Sequence, residues 1–300
     1  MPTHTFILCP GQGAQAVGMG KELFERSAAA RAVFENANKI LGFELTALCF
    51  GGPEETLNQT DISQPALFTT GVASFRAAVE AGTIEPATIS AYAGLSLGEY
   101  TALHLAGAFS FEDGLRLVAA RGKYMQEAAV ATPSGMVALK ADENAVNALC
   151  AHCAQGEVLS PANINAPGQI VVSGTVAACH RLVAAAAAAG VLATALKVAG
   201  AFHSALMQSA ADRMGQELDR VQFSAPALPV YSNVTAQAHQ DVPSIKRRLV
   251  EQIVSPVQWE RTMRALIAID EQGRYIELAP GRVLTGIARK INRRLPMENV

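Results

Sequence analysis

The sequence carries few charges and no excess of positive ones. Of its 300 residues, 17% are Asp, Glu, Lys or Arg, and the formal net charge is −2. A nucleic-acid-binding protein normally needs a clear basic excess to meet the phosphate backbone, so the composition argues against that class. Half of the residues are apolar, which provides for a sizeable core and argues against a disordered chain.

The sequence also lacks a long apolar run. Its longest stretch of low polarity, residues 184–195, contains Gly190 and falls short of the ~20 residues that a membrane span needs. The apolar run at 6–9 is too short for a signal-peptide core and has no basic flank. We therefore expect a cytoplasmic protein that does not associate with a membrane.

Cysteine is scarce and scattered, which favours a reducing compartment over a disulfide-stabilised fold. Cys150 and Cys153 have the spacing of half a zinc site, but no second such pair or distant histidine pair completes it. We therefore interpret both as apolar residues of an Ala-rich helix and expect no metal. The five cysteines lie at positions 9, 49, 150, 153 and 179.

Strands alternate with helices through most of the chain, which is typical of an α/β fold with a largely parallel sheet. Strands are predicted at 6–9, 88–93, 136–140, 158–164, 170–173, 191–198, 228–232 and 275–278. Helices are predicted at 19–41, 64–81, 99–106, 111–129, 143–153, 177–189, 204–220, 245–252 and 260–269.

The pattern changes near residue 132. From there to 199 the predicted order is β-α-β-β-α-β, which is the signature of a ferredoxin-like unit. We predict a large catalytic domain formed by 1–131 and 200–300, and a small ferredoxin-like domain at 132–199 that closes over a site on the large one.

Residues 94–98, Gly-Leu-Ser-Leu-Gly, match the G-x-S-x-G pattern of a serine nucleophile. The segment follows an apolar strand and precedes a helix, which is the context that the pattern requires. Such a turn raises the Ser96 hydroxyl to the open end of the sheet, and the N–H of Leu97 at the helix start can stabilise an oxyanion. The alternative is an ordinary glycine turn.

A serine nucleophile needs a base, and His203 is the best placed of the six histidines. It follows a predicted strand at a loop-to-helix junction. The alternative is a histidine that caps the helix beginning at Ser204. No Asp or Glu lies within eight residues of His203, so a backbone carbonyl could orient its ring.

Arg121 lies on the apolar face of its predicted helix, which also carries Leu117, Val118 and Met125. Burying a guanidinium without an anion is prohibitive, so Arg121 needs a partner. That partner is either a protein carboxylate or a carboxylate on the substrate, whose shape the planar guanidinium matches.

Eight segments, in this order along nearly the whole chain, resemble the malonyl-CoA:acyl carrier protein transacylase family, which is related to the acyltransferase domains of fatty acid and polyketide synthases. The segments are 10–13 (PGQG), 64–66 (QPA), 94–99 (GLSLGE), 121–126 (RGKYMQ), 163–169 (NINAPGQ), 201–204 (AFHS), 255–259 (SPVQW) and 277–284 (ELAPGRVL). The resemblance implies an α/β-hydrolase-like core with a ferredoxin-like insert.

The resemblance also implies residue roles. Ser96 would attack a thioester carbonyl, His203 would accept its proton, and the backbone N–H groups of Gln12 and Leu97 would form the oxyanion hole. Arg121 would bind the free carboxylate of a malonyl group.

Four further residues enter through the resemblance. Gln258 lies in the segment whose backbone carbonyl orients the histidine. Phe202 matches the form usual in malonyl-selective members, and Met125 and Asn163 are expected to contact the substrate. One position departs from the family, since Leu95 stands where a histidine usually precedes the nucleophile. We expect this change to alter rate or acceptor preference without abolishing activity.

The implied reaction moves malonyl from malonyl-CoA to the phosphopantetheine thiol of an acyl carrier protein through a malonyl-serine, supplying fatty acid synthesis. Coenzyme A is part of a substrate, and no cofactor is expected. The alternatives are an acyltransferase of a polyketide pathway, an editing acyl hydrolase and a non-catalytic scaffold. We expect a monomer.

The carrier protein is expected to be acidic, so a basic patch should receive it. One candidate is the segment 246–248, Lys-Arg-Arg. The other comprises Arg289, Lys290, Arg293 and Arg294. Either patch could instead be an ordinary solvated helix face.

Overall fold

Nine strands and thirteen α-helices make up the part of the chain that the computed structural model describes, residues 4–300. The strands are β1 Thr5–Cys9, β2 Ile89–Gly94, β3 Ser134–Leu139, β4 Leu159–Ala166, β5 Gln169–Thr175, β6 Ala193–Ala195, β7 Val230–Tyr231, β8 Arg274–Glu277 and β9 Met297–Asn299. The helices are α1 Lys21–Arg26, α2 Ala28–Leu41, α3 Leu45–Gly51, α4 Glu54–Leu57, α5 Thr60–Glu80, α6 Gly98–Leu105, α7 Phe111–Ala131, α8 Glu143–Ala154, α9 Val176–Ala188, α10 Gln208–Arg220, α11 Val242–Val254, α12 Trp259–Ile269 and α13 Val283–Ile291. Two short 3-10 helices lie at Pro86–Thr88 and Ala205–Met207.

The larger sheet has five strands in the order β7-β2-β1-β8-β9, and all of its strand pairs are parallel. Every residue of β1 is buried, because helices cover both faces of such a sheet. Side chains alternate between the two faces, so Ile7 packs into one core and Phe6 and Leu8 into another. The predicted α/β fold with a parallel sheet is confirmed.

The smaller sheet has four strands in the order β4-β5-β3-β6, and all of its pairs are antiparallel. With α8 and α9 it forms the predicted β-α-β-β-α-β unit. One face packs on these helices through Val137, Leu139, Val146 and Leu182. All four strands lie within residues 132–199, and the exact division into two domains stays a prediction.

The interpretation of Cys150 and Cys153 as apolar residues of a helix is confirmed. Both are buried on α8 in the core between this helix, α9 and the smaller sheet. Burial raises the pKa of the Cys150 thiol to about 12, with neighbouring thiols adding to the effect. Neither cysteine belongs to a metal-ligand cluster in the part of the chain that the structure describes.

One predicted helix is divided in the structure. The segment 19–41 forms two helices, because the side chain of Ser27 accepts a hydrogen bond from the N–H of Ala30 at 3.0 Å and so begins α2. Similarly, the helix predicted from residue 204 begins as the 3-10 turn Ala205–Met207, and α10 starts only at Gln208.

The predicted strand at 191–198 is too long. Only Ala193–Ala195 pairs, at the edge of the smaller sheet against β3, and the residues after it turn toward the cavity described below. Four elements were not predicted: α3, α4, α13 and β9. The helices α3 and α4 are short and interrupted by Gly52 and Pro53, so their apolar periodicity is weak.

Candidate active site

Ser96 lies on a sharp turn between β2 and α6, as the G-x-S-x-G pattern predicts. Its φ of 53° is in the left-handed region that residues with a side chain seldom adopt. A Cβ at Gly94 would lie 1.9 Å from the carbonyl carbon of Gly98, and a Cβ at Gly98 would lie 2.1 Å from the carbonyl oxygen of Cys9. Both glycines are therefore required by close backbone approach, and together they allow the turn that lifts Ser96.

The hydroxyl of Ser96 meets the ring of His203, with Oγ 2.8 Å from Nε2. The other ring nitrogen, Nδ1, lies 2.7 Å from the carbonyl oxygen of Gln252. A carbonyl can only accept, so Nδ1 carries the hydrogen and Nε2 is left to accept the hydrogen of Ser96. This is the arrangement in which a neutral imidazole activates a serine. Ser204, rather than His203, caps the following turn.

The expectation that Gln258 orients the histidine is wrong, because that carbonyl belongs to Gln252. Gln258 precedes α12, and its carbonyl accepts the N–H of Thr262 at 3.0 Å. Gln252 lies in the last turn of α11, where the final carbonyls have no partner within the helix. One of these unpaired carbonyls is therefore available to His203.

Arg121 is 1% exposed, and the hydrogen-bond partners of its guanidinium are neutral oxygens. NH1 donates to Oε1 of Gln64 at 2.7 Å, and NH2 donates to Oε1 of Gln252 at 2.9 Å and to Oγ of Ser96 at 3.1 Å. Its Nε is buried without a hydrogen-bond partner among the described residues. The alternative of a direct internal ion pair is therefore wrong, and a cation with no carboxylate in contact lies beside the reactive serine.

The burial of the site and the charge of Arg121 both lower the pKa of His203. Burial, followed by the charge of Arg121, lowers the pKa of His203 to about 4, and the hydrogen bond to Gln252 opposes the shift. Burial also lowers the pKa of Arg121 from its ordinary value. The imidazole is consequently unprotonated near pH 7, as a general base must be.

The N–H groups of Gln12 and Leu97 are free to receive an oxyanion. Neither donates to another group within residues 4–300. Leu97 directly follows Ser96 at the start of α6, and Gln12 lies in the loop after β1 and lines the same cavity as Ser96. Free donors at a helix start and in a tight loop suit a developing negative charge.

A cavity of about 840 Å³ opens beside these groups, between the end of the larger sheet and the smaller sheet. Phe202, Met125 and Asn163, which are expected to contact the substrate, line it, and Leu95 forms part of the wall. Because leucine cannot form hydrogen bonds, the wall at this position is apolar. Further lining residues come from the smaller sheet (Met136, Val171), from α13 (Val283, Ile287) and from the segment after β6 (Leu196, Lys197).

Four further buried residues belong to the site, and the sequence predicts no individual role for any of them. They are Gln64, Glu99, Asn233 and Gln252, each at most 1% exposed. Gln64 and Glu99 fall within the segments 64–66 and 94–99 of the family resemblance, Gln252 lies in a predicted helix, and Asn233 follows a predicted strand. Beyond the resemblance, the available signal was polarity at positions that the pattern assigns to the interior, since buried polar groups need partners.

The comparisons with known proteins agree with this geometry. The family model described as "Acyl transferase domain" matches residues 5–299. The malonyl CoA-acyl carrier protein transacylase of Salmonella typhimurium is 42% identical over 291 residues, which cover 96% of this chain and 93% of that protein.

Similar solved structures are also malonyl-CoA:acyl carrier protein transacylases. The malonyl-CoA:acyl carrier protein transacylase of Xanthomonas oryzae has a TM-score of 0.94 at 40% identity, covering 99% of this chain and 94% of that one. A malonyl-transacylase solved in complex with a type II PKS acyl-carrier protein has a TM-score of 0.92 at 38% identity, covering 99% of this chain and 96% of that one. The chain therefore belongs to the acyl transferase family, among the malonyl-CoA:acyl carrier protein transacylases.

Proposed function

We propose that this protein transfers a malonyl group from malonyl-CoA to the phosphopantetheine thiol of an acyl carrier protein, through an ester on Ser96. The observation that carries the proposal is the Arg121 guanidinium, which is buried among neutral partners 3.1 Å from the Ser96 hydroxyl. The free carboxylate of a malonyl group would supply a negative charge in direct contact with the guanidinium.

In the first half of the reaction, Ser96 Oγ attacks the thioester carbonyl and passes its proton to Nε2 of His203. The carbonyl oxygen becomes an anion that the N–H groups of Gln12 and Leu97 stabilise. Collapse of the adduct breaks the carbon–sulfur bond, and coenzyme A leaves as a thiol with the proton from His203. Each oxyanion donor typically contributes about 3 kcal/mol, so both are expected to matter.

The second half runs the same steps in reverse order with a new thiol. The carrier's phosphopantetheine thiol gives its proton to His203 and attacks the ester, and Ser96 recovers its proton as it leaves. An ester is exchanged for a thioester without oxidant, reductant or metal, so no cofactor is needed. The two half-reactions share one site, which gives ping-pong kinetics.

Binding of a malonyl carboxylate would also strengthen the base. The charge of Arg121 lowers the pKa of His203 in the free protein. A bound carboxylate offsets that charge, so the imidazole accepts a proton more readily when the correct substrate is present. Acetyl has no carboxylate and leaves the guanidinium without an anion in contact, which gives a physical basis for malonyl selectivity.

The α13 patch (Arg289, Lys290, Arg293 and Arg294) is the better candidate for docking an acidic carrier. All four are exposed, and within the described residues none of the three arginines pairs with a carboxylate. The same helix lines the cavity through Val283 and Ile287. In the other patch, Arg248 pairs with Glu251, so less charge is free. Lys246 and Lys290 each donate to a neutral oxygen and keep their charge, so they do not distinguish the two patches.

We extend the proposal to the setting of the reaction: a cytoplasmic monomer that supplies fatty acid synthesis and binds neither nucleic acid nor membrane. No helix within residues 4–300 is long and apolar enough to cross a membrane. A second candidate acceptor is a polyketide carrier protein, since one structural relative is solved with such a partner. An editing hydrolase is less favoured, because the buried Arg121 beside Ser96 suits an acyl group that carries a free carboxylate.

Intact-mass analysis after mixing with malonyl-CoA or acetyl-CoA tests the proposal. We expect an added malonyl group on the wild type and none on Ser96→Ala, with the ester passing to an added carrier protein faster than to water. Arg121→Ala should lose malonyl adduct relative to acetyl adduct. A wild type that takes no malonyl, or an Arg121→Ala variant with unchanged selectivity, would reject malonyl transfer or the carboxylate role, respectively.

A further inference from the structure

Glu99 is a fully buried carboxylate near the start of α6, three residues after the reactive serine. Its Oε2 accepts hydrogen bonds from the backbone N–H of Asn233 at 3.0 Å and from Nε2 of Gln252 at 2.7 Å. Its Oε1 accepts from Nε2 of His239 at 2.8 Å, and the side chain of His239 is 1% exposed. Glu99 is not among the described residues that line the cavity, so it acts on the site indirectly.

The two residues that donate to Oε2, Asn233 and Gln252, also form hydrogen bonds with the backbone of Ser96, one with its N–H and the other with its carbonyl oxygen. Oδ1 of Asn233 accepts the N–H of Ser96 at 2.6 Å, and Nε2 of Gln252 donates to the carbonyl of Ser96 at 3.0 Å. Ser96 adopts a left-handed φ of 53°, and a strained conformation persists only where the surroundings over-determine it. One carboxylate oxygen thus anchors both groups that maintain the turn.

Glu99 also decides which way the Gln252 amide faces. A carboxylate can only accept hydrogen bonds, so the amide turns its NH₂ group toward Glu99 and its oxygen toward Arg121, 2.9 Å from NH2. A flipped amide would set its NH₂ against the guanidinium. The backbone carbonyl of the same residue holds His203. The position of Gln252 therefore affects the guanidinium and the imidazole together.

We propose that Glu99, held by His239, is a positioning residue that sets the nucleophile, the imidazole and the guanidinium in one geometry through Asn233 and Gln252. A single buried carboxylate then couples the Ser96 turn to the orientation of Arg121. This inference rests on the proposed function only in using malonyl-CoA as one probe.

The test compares Glu99→Gln with a matched control, Glu277→Gln. Glu277 is also fully buried and accepts backbone N–H groups, from Leu284 at 2.8 Å and Thr285 at 2.7 Å, but its partners lie at the start of α13. Thermal melting measures the stability of both variants. Labelling of Ser96 by a fluorophosphonate, which has no carboxylate, reports the serine–histidine geometry. The ratio of malonyl to acetyl acylation reports the guanidinium.

We expect folded Glu99→Gln to be labelled about 10- to 100-fold more slowly than the wild type, since small misplacements of reacting groups have effects of this size. Its malonyl-to-acetyl ratio should also fall. Glu277→Gln should lose stability while keeping the wild-type labelling rate and ratio. Wild-type labelling and ratio in Glu99→Gln, or equal losses in both variants, would overturn the proposal.

A second variant keeps the test decisive if Glu99→Gln does not fold. His239→Leu removes the donor to Oε1 and leaves the partners of Oε2 in place, so it should show the same two losses to a smaller degree. An unchanged labelling rate and ratio in that variant would also overturn the proposal. A wild type that is labelled but takes no malonyl would instead reject the proposed function.

Discussion

The two sheets of this protein are surrounded by different kinds of buried residue. The core between the smaller sheet, α8 and α9 consists of aliphatic side chains and cysteines. At the end of the larger sheet, Glu99, Arg121, His203 and Gln252 are all at most 4% exposed. Apolar packing is sufficient to build a sheet, and burying charge is unfavourable without partners. The buried charges around Ser96 therefore lower the free energy of unfolding, and their presence there is explained by the reaction rather than by packing.

Removing the base is expected to have the largest effect on the polar region. His203→Ala deletes the group 2.8 Å from Ser96 Oγ, and acylation by malonyl-CoA should slow by about 10²–10⁴. Single-turnover acylation followed by intact mass measures the rate. His104→Ala is the control, because that histidine is half-buried on α6 against Phe68 and the carbonyl of Phe109, away from the cavity. A wild-type rate in His203→Ala would remove the residue from the mechanism.

Truncating the apolar region should affect stability instead. Leu182 on α9 is fully buried in the core of the smaller sheet, and Leu182→Ala should destabilise the protein by about 2–5 kcal/mol. Acylation of the folded variant, measured well below its melting temperature, should stay at the wild-type rate. Leu192→Ala, at a 56% exposed position, should change neither quantity. A loss of acylation in folded Leu182→Ala would show that the two regions are coupled.

The contrast between apolar packing and polar contacts also explains which elements of the fold the sequence predicted. Strands and helices of the small unit follow from short-range apolar periodicity, and the predicted order from 132 to 199 matches the observed one. Two kinds of element were missed: α3 and α4, whose periodicity is weak, and α13, which does carry an apolar face of Leu284, Ile287 and Ala288 but whose first turn is held by Glu277 at the end of β8. Tertiary contacts of this kind cannot be read from a local pattern.

The residues of the site likewise differ in whether a local sequence pattern predicts them. Ser96, His203 and Arg121 were predicted because each has a local signature, namely a glycine turn, a strand-to-helix junction and an apolar helix face. Gln252 was missed in favour of Gln258, since the deciding fact is a carbonyl left unpaired in the last turn of α11. Glu99 was overlooked because its partners, Asn233, His239 and Gln252, are more than 100 residues away.

A smaller effect should reveal how the buried cation acts on the base. Burial and the charge of Arg121 lower the pKa of His203 to about 4. Arg121→Met retains an apolar, buried chain but removes the charge, so the pKa of His203 should move up toward its ordinary value of about 6.5. Burial, the larger cause, remains in the variant, so the rise is partial. Because only the unprotonated imidazole acts as a base, the variant should lose activity at a higher pH than the wild type, which stays active to about pH 4.

Fluorophosphonate labelling of Ser96 between pH 4.5 and 7 measures this difference without involving a malonyl carboxylate. Arg116→Met is the control, because Arg116 is exposed on the same helix and pairs with Glu112. It should follow the wild-type profile, since water screens exposed charges. If Arg121→Met also kept the wild-type profile, burial alone would account for the lowered pKa. The proposed strengthening of the base by a bound carboxylate would then have no physical basis, although the guanidinium could still select malonyl by direct contact.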